Sequence, residues 1–371
     1  MRFLRRMPLV VLVVVTALVG AVMIYFGIRG RGYRPVNGVK RLSEGLIFKG
    51  SGMAYTDDFF GWGGLEGTDE TGLTIEMVLR CEALSNAGFR YVLSVSDGTD
   101  ARQLLLGQWL HWLIVMNGDD YDGRKGVGKI YVDLGTDHVT PVWITIVSDA
   151  RGTRVFLNGR WVKSNSNLHL FFPSEKGDAK LVLGSSAYGR HAWQGEMRGL
   201  GFYDYALDDG AVRDRFEQWQ SSGGAAGGRF EKDPALGPKI VYRFDGAVDG
   251  RVANLAGGQY TLLIPERMKI FKREFLRVPD FKVGGWAFFQ DVLVNFMGFM
   301  PLGILLYLVL HRLGAVDPRW GGWVVVGVAF VFSLTLEVAQ AWIPSRDSSL
   351  QDLVLNTLGA GIGGLGGKRA V

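Results

Sequence analysis

Cysteine is almost absent from this sequence. Cys81 is the only cysteine among 371 residues, so the chain cannot form an internal disulfide bond. That is compatible with the cytoplasm and with an extracytoplasmic domain that does without disulfides. Histidine is also scarce. The five histidines of the chain are scattered and do not show the spacing of metal ligands. Neither a disulfide framework nor a zinc site is therefore predicted.

Strong charge of one sign is lacking as well. The formal net charge is +5, and no basic helix or aromatic stacking motif accompanies it. We therefore predict no nucleic-acid partner and interpret the basic residues as flanks of membrane segments. The hydrophobic content of 48% is ordinary for a soluble protein. Its distribution is uneven, and this unevenness divides the chain better than length does.

The segment from Pro8 to Ile28 contains no charged residue, and it is long enough to cross a hydrocarbon core of about 30 Å. Arginines at positions 2, 5 and 6 precede it, so a signal peptide cleaved near Gly20 is an alternative. The apolar run continues past that position to Phe26, which favours a retained membrane anchor.

Between Leu46 and Phe202 the hydrophobic period is two, as in β-strands. One face of the segment 73–80 carries Leu73, Ile75, Met77 and Leu79, while Glu76 lies on the other. The strongest local signal is the pair Asn158-Gly159 between two alternating segments. This pair predicts a hairpin with a type I′ turn, because both central residues of that turn need positive φ.

A short helix is predicted to follow these strands. Asp208 is placed to cap its first turn, and the apolar face consists of Val212, Phe216 and Trp219. The sequence SSGGAAGG from Ser221 then predicts a flexible linker.

Three consecutive stretches of this region carry a family resemblance: GLTIEMVLR, WITIVSDARGTRVFLNGRWV and KLVLGSSAYGRHAWQGEMRGLGFYDYALDDGAVRDRF. Their order resembles the laminin G-like domains of the concanavalin A-like β-sandwich (jelly roll) fold. The resemblance implies carbohydrate or protein binding, in some members through calcium. Glycosidases on this fold use closely spaced carboxylates on one strand. The nearest match, Glu66 with Asp69 and Glu70, lies in a glycine-rich stretch without strand alternation, so no hydrolase is predicted.

Ligand contacts in this sandwich are weakly defined. Four loop aspartates could supply oxygen ligands to calcium, which is the one cofactor left open, although solvated loop residues are the simpler interpretation: Asp57, Asp58, Asp97 and Asp100. Trp109 and Trp112 could stack on sugar rings, or they could serve packing alone.

Two further strands are expected after the linker, Ile240–Asp245 and Gln259–Ile264. They either pack on the sandwich or form a small separate hairpin. Residues 266–282 are basic, and Met268, Phe271, Phe275 and Val278 follow at helical spacing. This pattern predicts an interfacial helix beside the membrane.

Three apolar segments complete the chain: Val292–Leu313, Trp323–Trp342 and the shorter Leu350–Gly367. With the N-terminal anchor they predict four membrane spans. Gly359, Gly363 and Gly367 form a ridge that allows close helix packing. We divide the chain into an anchor (1–29), a sandwich (42–220), a linker (221–237), extra strands with a basic interfacial segment (238–290) and a helical membrane domain (291–371).

Polar residues lie inside these apolar segments, where hydrocarbon would exclude them. Asn295, Glu337 and Asn356 fall at similar depths, and Gln340 and Asp352 share helix faces with Glu337 and Asn356. An ionisable group within a membrane is costly and indicates a functional site. The alternative is that these groups merely hydrogen-bond the helices together. We predict that they converge beneath one membrane face, beside Arg346 and Asp347.

The same residues carry a second resemblance. Three ordered motifs, DVLVNFMGFMPLG, SLTLEVAQ and SRDSSLQDLVLNTLGAGIG, are similar to the VanZ-like family. The match covers the family's recurrent positions at Asn295, Pro301, Gly303, Glu337, Gln340, Arg346, Asp347, Asp352 and Asn356. The family takes its name from a protein linked to low-level teicoplanin resistance. The sandwich after the first helix departs from the family pattern.

Two functions follow as hypotheses for a multi-pass protein of a bacterial-type cell membrane. In the first, the sandwich binds an envelope polysaccharide or another envelope protein. In the second, an intramembrane enzyme or lipid-handling protein acts on a lipid-linked precursor, with Glu337 as acid or base and Arg346 as an anion clamp. A purely structural envelope scaffold is a third alternative.

The charges that flank the C-terminal segments predict a topology with the sandwich outside the cell and both termini inside. Arg312, Arg319, Lys368 and Arg369 lie on the side placed inside. Alkaline phosphatase fused after Gly223 should therefore be active. A cytoplasmic reporter that is active at the same position would contradict this topology.

Overall fold

The protein is described by a computed structural model that covers residues 7–29, 35–58, 72–82, 88–96, 104–118, 126–135, 140–170, 179–189, 191–222, 240–244, 250–257, 259–271, 275–278, 286–343, 346 and 348–371. The chain separates into two compact units. One unit is Arg34–Lys272, and the other combines Met1–Tyr33 with Arg273–Val371. In sequence, the first unit is thus an insertion within the second.

The inserted unit consists of two antiparallel β-sheets. Its strands, in chain order, are β1 (Val39–Arg41), β2 (Leu46–Phe48), β3 (Ala54–Thr56), β4 (Leu73–Cys81), β5 (Arg90–Ser96), β6 (Leu104–Trp109), β7 (Trp112–Asn117), β8 (Lys129–Asp133), β9 (Val142–Asp149), β10 (Gly152–Leu157), β11 (Arg160–Asn165), β12 (Lys180–Leu183), β13 (Gly195–Tyr203), β14 (Ile240–Arg243), β15 (Arg251–Val252) and β16 (Leu262–Leu263). The first sheet has the order β1-β2-β13-β4-β9-β10-β11, with β14 also paired to β13. The second has the order β15-β16-β3-β12-β5-β6-β7-β8.

Alternation along the strands builds the core. In β4 the residues Leu73, Ile75, Met77 and Leu79 are at most 2% exposed, and they join one apolar cluster with residues of both sheets. Each such buried side chain contributes roughly 1.5–3 kcal/mol relative to exposure. The predicted sandwich of alternating strands is confirmed at this level.

The outer face of the first sheet is covered by a helix, α2 (Asp209–Ser221), which follows the N-terminal helix α1 (Leu9–Ile28) in the chain. As predicted, Asp208 caps α2, because its carboxylate accepts the Ala211 N–H at 2.8 Å. Glu76 on this face is fully buried and pairs with Arg215 of α2 at 2.8 Å. The polar side of β4 therefore faces a helix and not water.

The Asn158-Gly159 hairpin is also confirmed. The φ angles of these residues are 49° and 72°, as a type I′ turn requires, and the turn joins β10 to β11. The Asn158 side chain accepts the Trp143 N–H at 3.0 Å, which ties the turn to β9.

The two late strands extend the sandwich and do not form a separate hairpin, because β14 pairs with β13 and β16 pairs with β3. The expected interfacial helix over 266–282 is wrong for the described residues before Trp286. Val36 and Arg267 form a β-bridge, and Met268 packs with Met53 and Tyr55. Burial of Met268 and Phe271 against strands outcompetes the weak helical spacing.

The other unit contains α1 and three further helices, α3 (Trp286–Arg312), α4 (Gly321–Gln340) and α5 (Leu350–Ala370). Among the described residues, three helical segments are long and apolar enough to span a membrane: Leu9–Ile28, Val292–Arg312 and Gly321–Gln340, with mean hydropathies of 2.8, 2.1 and 2.0. The glycine-rich α5 is as long as the others but is not among them, so the fourth span stays a prediction.

The predicted glycine ridge brings α5 very close to α3. A Cβ atom at Gly359 would lie 2.1 Å from the Phe296 carbonyl oxygen, and one at Gly363 would lie 2.1 Å from that of Met300. Both contacts keep the same offset in sequence, so α3 and α5 run parallel. From the other side, a Cβ atom at Gly303 would lie 2.0 Å from the Ala360 carbonyl oxygen. Only glycine permits this separation.

The first helix also belongs to this bundle. Leu12 is fully buried with Leu305 and Leu308 of α3, and a guanidinium N–H of Arg312 donates to the Met7 carbonyl oxygen. Helix α1 therefore runs antiparallel to α3 and packs along it.

Replacing Gly363 with leucine should unfold the bundle or greatly reduce its thermal stability, because the new side chain would overlap backbone. Gly327→Ala is the matched control, since no atom lies within 4 Å of a Cβ there. That change should be neutral or stabilise the helix by up to about 1 kcal/mol. Thermal unfolding of the purified variants in detergent measures both effects, and equal midpoints would contradict the packing described.

Candidate functional site

The polar residues of the membrane unit connect α4 to α5. Glu337 is 1% exposed, and its carboxylate accepts the Ser349 N–H at 2.7 Å. One turn away, Ser333 Oγ accepts from Asn356 Nδ2 at 3.0 Å. The structure therefore places Glu337 and Asn356 on the same seam between two helices, and neither side chain faces outward.

Glu337 lies at the N-terminal end of α5, where backbone N–H groups point outward and the helix dipole favours negative charge. Ser349 is the N-cap of α5, and its hydroxyl accepts the Asp352 N–H at 3.4 Å. Asp352 itself stands in the first helical turn. The seam is thus an electrostatically favourable position for a buried carboxylate.

The start of α5 is held by a short stretch that precedes α3. The Arg277 N–H donates to the Ser348 carbonyl oxygen at 2.9 Å, and the Leu350 N–H donates to the Arg277 carbonyl oxygen at 3.1 Å. The Leu276 N–H donates to the Ser348 hydroxyl at 3.1 Å. These bonds fix the position of Ser349 against Glu337.

Gln340 and Arg346 contact α1. Gln340 Nε2 donates to the Gly27 carbonyl oxygen at 3.0 Å. Arg346 Nη2 donates to the carbonyl oxygens of Phe26 and Arg29 at 2.6 and 2.9 Å. Arg346 therefore caps the C-terminal end of α1, which is a favourable place for a cation.

Asn295 lies on α3, and Asp347 lies outside the described residues. Within the part of the membrane unit that is described, three buried amide atoms have no hydrogen-bond partner: Asn295 Nδ2, Gln340 Oε1 and Asn356 Oδ1. Unpaired polar atoms in a bundle core are costly, typically about 1–3 kcal/mol each. That these residues bind a ligand stays a prediction.

The sandwich offers a second candidate surface at the hairpin that joins β6 to β7. Trp109 and Trp112 are opposite each other across a two-residue turn, and Trp109 is 40% exposed. The His111 ring lies 5.0 Å from the Trp112 ring. Three aromatic rings are thereby grouped at the tip of one hairpin.

This tip is held in an unusual conformation. Leu110 has a φ of 54° at a position where hairpin turns favour glycine. The buried Gln108 supports it, because Gln108 Nε2 donates to the Leu110 carbonyl oxygen at 2.7 Å and Gln108 Oε1 accepts from Trp193 Nε1 at 2.7 Å. Strained backbone that the surroundings hold in place is a feature of binding sites.

A small pocket lies beside the hairpin and is lined by Gln108, His111, Thr140 and Cys81 among others. Burial raises the pKa of the Cys81 thiol to about 12. The thiol is therefore protonated at neutral pH and is a poor nucleophile.

The loop aspartates that were considered as calcium ligands do not form a site within the described residues. Asp57 Oδ1 accepts the Asp58 N–H at 2.9 Å, and the Asp57 carbonyl oxygen accepts from Lys180 at 2.9 Å. Asp97 and Asp100 lie outside the described residues, as do Glu66, Asp69 and Glu70. No group of three His, Cys, Asp or Glu residues is placed to hold a metal in the described ranges.

Several residues of these surfaces were missed by sequence reasoning. Ser333 stands four residues before Glu337, so helical spacing could have identified it. Gly27 could not be identified, because its partner Gln340 is 313 positions away. The hairpin turn consists of Leu110 and His111, and neither is a residue type that is common in turns.

The VanZ/LLP1 family model matches residues 246–368, so the C-terminal part of the chain is a VanZ-like domain. With the three apolar helices, this makes the chain a membrane protein. No curated protein matches the chain.

Solved structures resemble the sandwich. A proposed carbohydrate-binding protein from Bacteroides ovatus is 14% identical, with a TM-score of 0.41, over 58% of this chain and 56% of that one. Trypanosoma rangeli sialidase is 14% identical, with a TM-score of 0.37, over 50% and 29%. The CBM40 of Ruminococcus gnavus IT-sialidase, solved with bound α2,3-sialyllactose, is 16% identical, with a TM-score of 0.33, over 48% of this chain and 96% of that one. This chain therefore spans about half of the first protein, and no function follows from likenesses at this level.

Proposed function

We propose that this protein binds a glycan of the cell envelope through its sandwich and is held in the membrane by its VanZ-like domain. The observation that carries the proposal is the aromatic hairpin tip formed by Trp109, His111 and Trp112. Indole rings offer large apolar faces with little conformational entropy to lose, and such residues dominate binding energies. An envelope protein is the alternative ligand for the same surface.

Three finer features complete the proposal. The sandwich is of the laminin G-like, concanavalin A-like jelly-roll kind and lies outside the cell. The membrane domain has four spans, with α5 as the fourth. Calcium is the one cofactor that the sandwich leaves open.

A glycan array probed with the purified full-length protein should identify a bound sugar. Trp109→Ala should then weaken binding of that sugar about tenfold or more, because truncated interface tryptophans commonly cost about 2 kcal/mol. Trp161→Ala is the matched control, since Trp161 is 58% exposed on β11. A loss of binding in the control and not in Trp109→Ala would place the site elsewhere.

A second candidate function is an intramembrane enzyme or lipid-handling protein that uses Glu337. The observation that favours it is a fully buried carboxylate within an apolar bundle, since such groups mark functional sites in membranes. Arg346 supports this candidate less well, because one of its nitrogens already caps α1. The scaffold alternative assigns Glu337 a purely structural role, to which the bond from Ser349 belongs.

Glu337→Gln separates these alternatives. Glutamine retains an oxygen that can accept the Ser349 N–H, but it removes the charge and the proton transfer. If the second candidate is correct, the variant should be produced at normal abundance and should fail to complement a deletion strain in assays of glycopeptide sensitivity and surface polysaccharide.

Thr335→Val is the matched control for this test. Thr335 is exposed on the same helix, and its hydroxyl bonds only to the Val331 carbonyl oxygen, at 2.8 Å. Complementation should be normal. Full complementation by Glu337→Gln, with failure only after removal of the sandwich, would eliminate the enzyme and leave the binding protein.

A further inference from the structure

The three amide side chains that each have an unpaired atom lie in one layer of the membrane unit. Next to them is an apolar cluster with one or more residues from each of the four helices, including Met23, Phe299, Leu336 and Ala360. Residues four apart on a helix share a face and differ by one turn. One turn along each helix from these residues stand Gly27, Asn295, Gln340 and Asn356. We call these four residues the amide layer.

The helix directions place the four residues at the same end of the bundle. Helix α5 is parallel to α3, and Phe296 touches Gly359, so Asn295 and Asn356 lie within about one turn of each other. Gln340 reaches the Gly27 carbonyl oxygen at 3.0 Å. The layer therefore covers the apolar cluster at one end.

The bond to Gly27 fixes the orientation of the Gln340 amide. Gln340 Nε2 is bound to the carbonyl oxygen of Gly27, which can only accept, so Gln340 Oε1 is directed elsewhere. Asn356 Nδ2 is bound to Ser333, which leaves Asn356 Oδ1 as the unpaired atom. Asn356 is only 5% exposed. Asn295 adds an unpaired donor, Nδ2.

The layer thus presents unpaired amide atoms, of which Gln340 Oε1 is an acceptor, and it carries no net charge. The adjacent carboxylate of Glu337 disfavours an anion such as phosphate. A hydroxyl group both donates and accepts, so it can bond to an unpaired amide oxygen or to an unpaired amide nitrogen. Gln340 ends α4 and Asn356 lies in the second turn of α5, which is a depth that a lipid headgroup can reach.

We propose that the amide layer binds a neutral hydroxylated group, namely the polyol or sugar headgroup of a membrane lipid or the same group in a free molecule. The inference deepens the second candidate function, on whose membrane site it rests, and it requires no catalysis. Binding supplies the hydrogen bonds that the three amide atoms lack within the described part of the bundle.

The test uses the full-length protein in detergent micelles and follows the midpoint of thermal unfolding. Monoglucosyl-diacylglycerol is the neutral hydroxylated probe. Phosphatidylcholine and phosphatidic acid are controls, since neither headgroup carries a polyol. A ligand that binds only the folded state raises the midpoint, so the glucosyl lipid should raise it by several degrees and the controls should not. An equal rise with free glucose would assign the site to a soluble molecule.

Asn295→Leu tests the layer itself. Asn295 Nδ2 has no hydrogen-bond partner among the residues that the structure describes, so leucine should not lower the midpoint without lipid. It should weaken lipid binding roughly tenfold by removing one hydrogen bond. Thr357→Val is the control, because Thr357 follows Asn356 and its hydroxyl bonds to the Leu353 carbonyl oxygen at 2.7 Å. If Asn295→Leu does not fold, Gln340→Met tests the same layer.

The proposal would be overturned by an equal rise with phosphatidylcholine or phosphatidic acid, or by an unchanged lipid response in the variants. A lower midpoint of Asn295→Leu without lipid would show that the amide is structural. Failure here differs from failure of the second candidate function. If only this inference fails, the lipid response is absent while Glu337→Gln still fails to complement. If only the second candidate function fails, the lipid response is present while Glu337→Gln complements fully.

Discussion

The close contact between α3 and α5 is the constraint on which the membrane unit depends. At Gly359 and Gly363 a Cβ atom would lie 2.1 Å from a backbone oxygen of α3, so any side chain would push the helices apart. Helix association in lipid gains little from hydrophobicity and relies on such packing. The polar contacts follow from this separation, because Asn356 and Ser349 belong to the helix that the ridge positions.

Helix ends explain why polar groups are tolerated in an apolar bundle. The N-terminal end of α5 lies at the buried carboxylate of Glu337, where backbone N–H groups and the helix dipole offset the cost of burial. Arg346 does the converse at the C-terminal end of α1, where it binds two carbonyl oxygens. Glu337 and Arg346 thus each stabilise a helix end whose dipole has the opposite sign. The neutral amides between them keep three atoms without a partner among the described residues.

Local signals in the sequence were sufficient for much of the fold and insufficient where distant segments compete. The Asn158-Gly159 turn, the Asp208 cap and the alternation in β4 depend on neighbouring residues, and all three are observed. The helix expected at 266–282 depended on spacing alone. It is absent from the described residues there because Val36, more than 200 positions earlier, pairs with Arg267. The membrane site shows the same difference between local and distant signals. Helical spacing predicts that Glu337 and Asn356 lie on one seam, but it does not predict that α1 contributes to the site.

The packing of α1 bears on whether this helix is a cleaved signal or a permanent part of the protein. Leu12, Val15 and Val19 contact α3, and cleavage near Gly20 would remove all three. It would also leave Met23 and Gly27 on a fragment too short to span the membrane, so that Gln340 and Arg346 would lose their partners on an ordered helix. The contacts of α1 therefore favour retention, and they make the first helix part of the candidate membrane site and not merely its anchor.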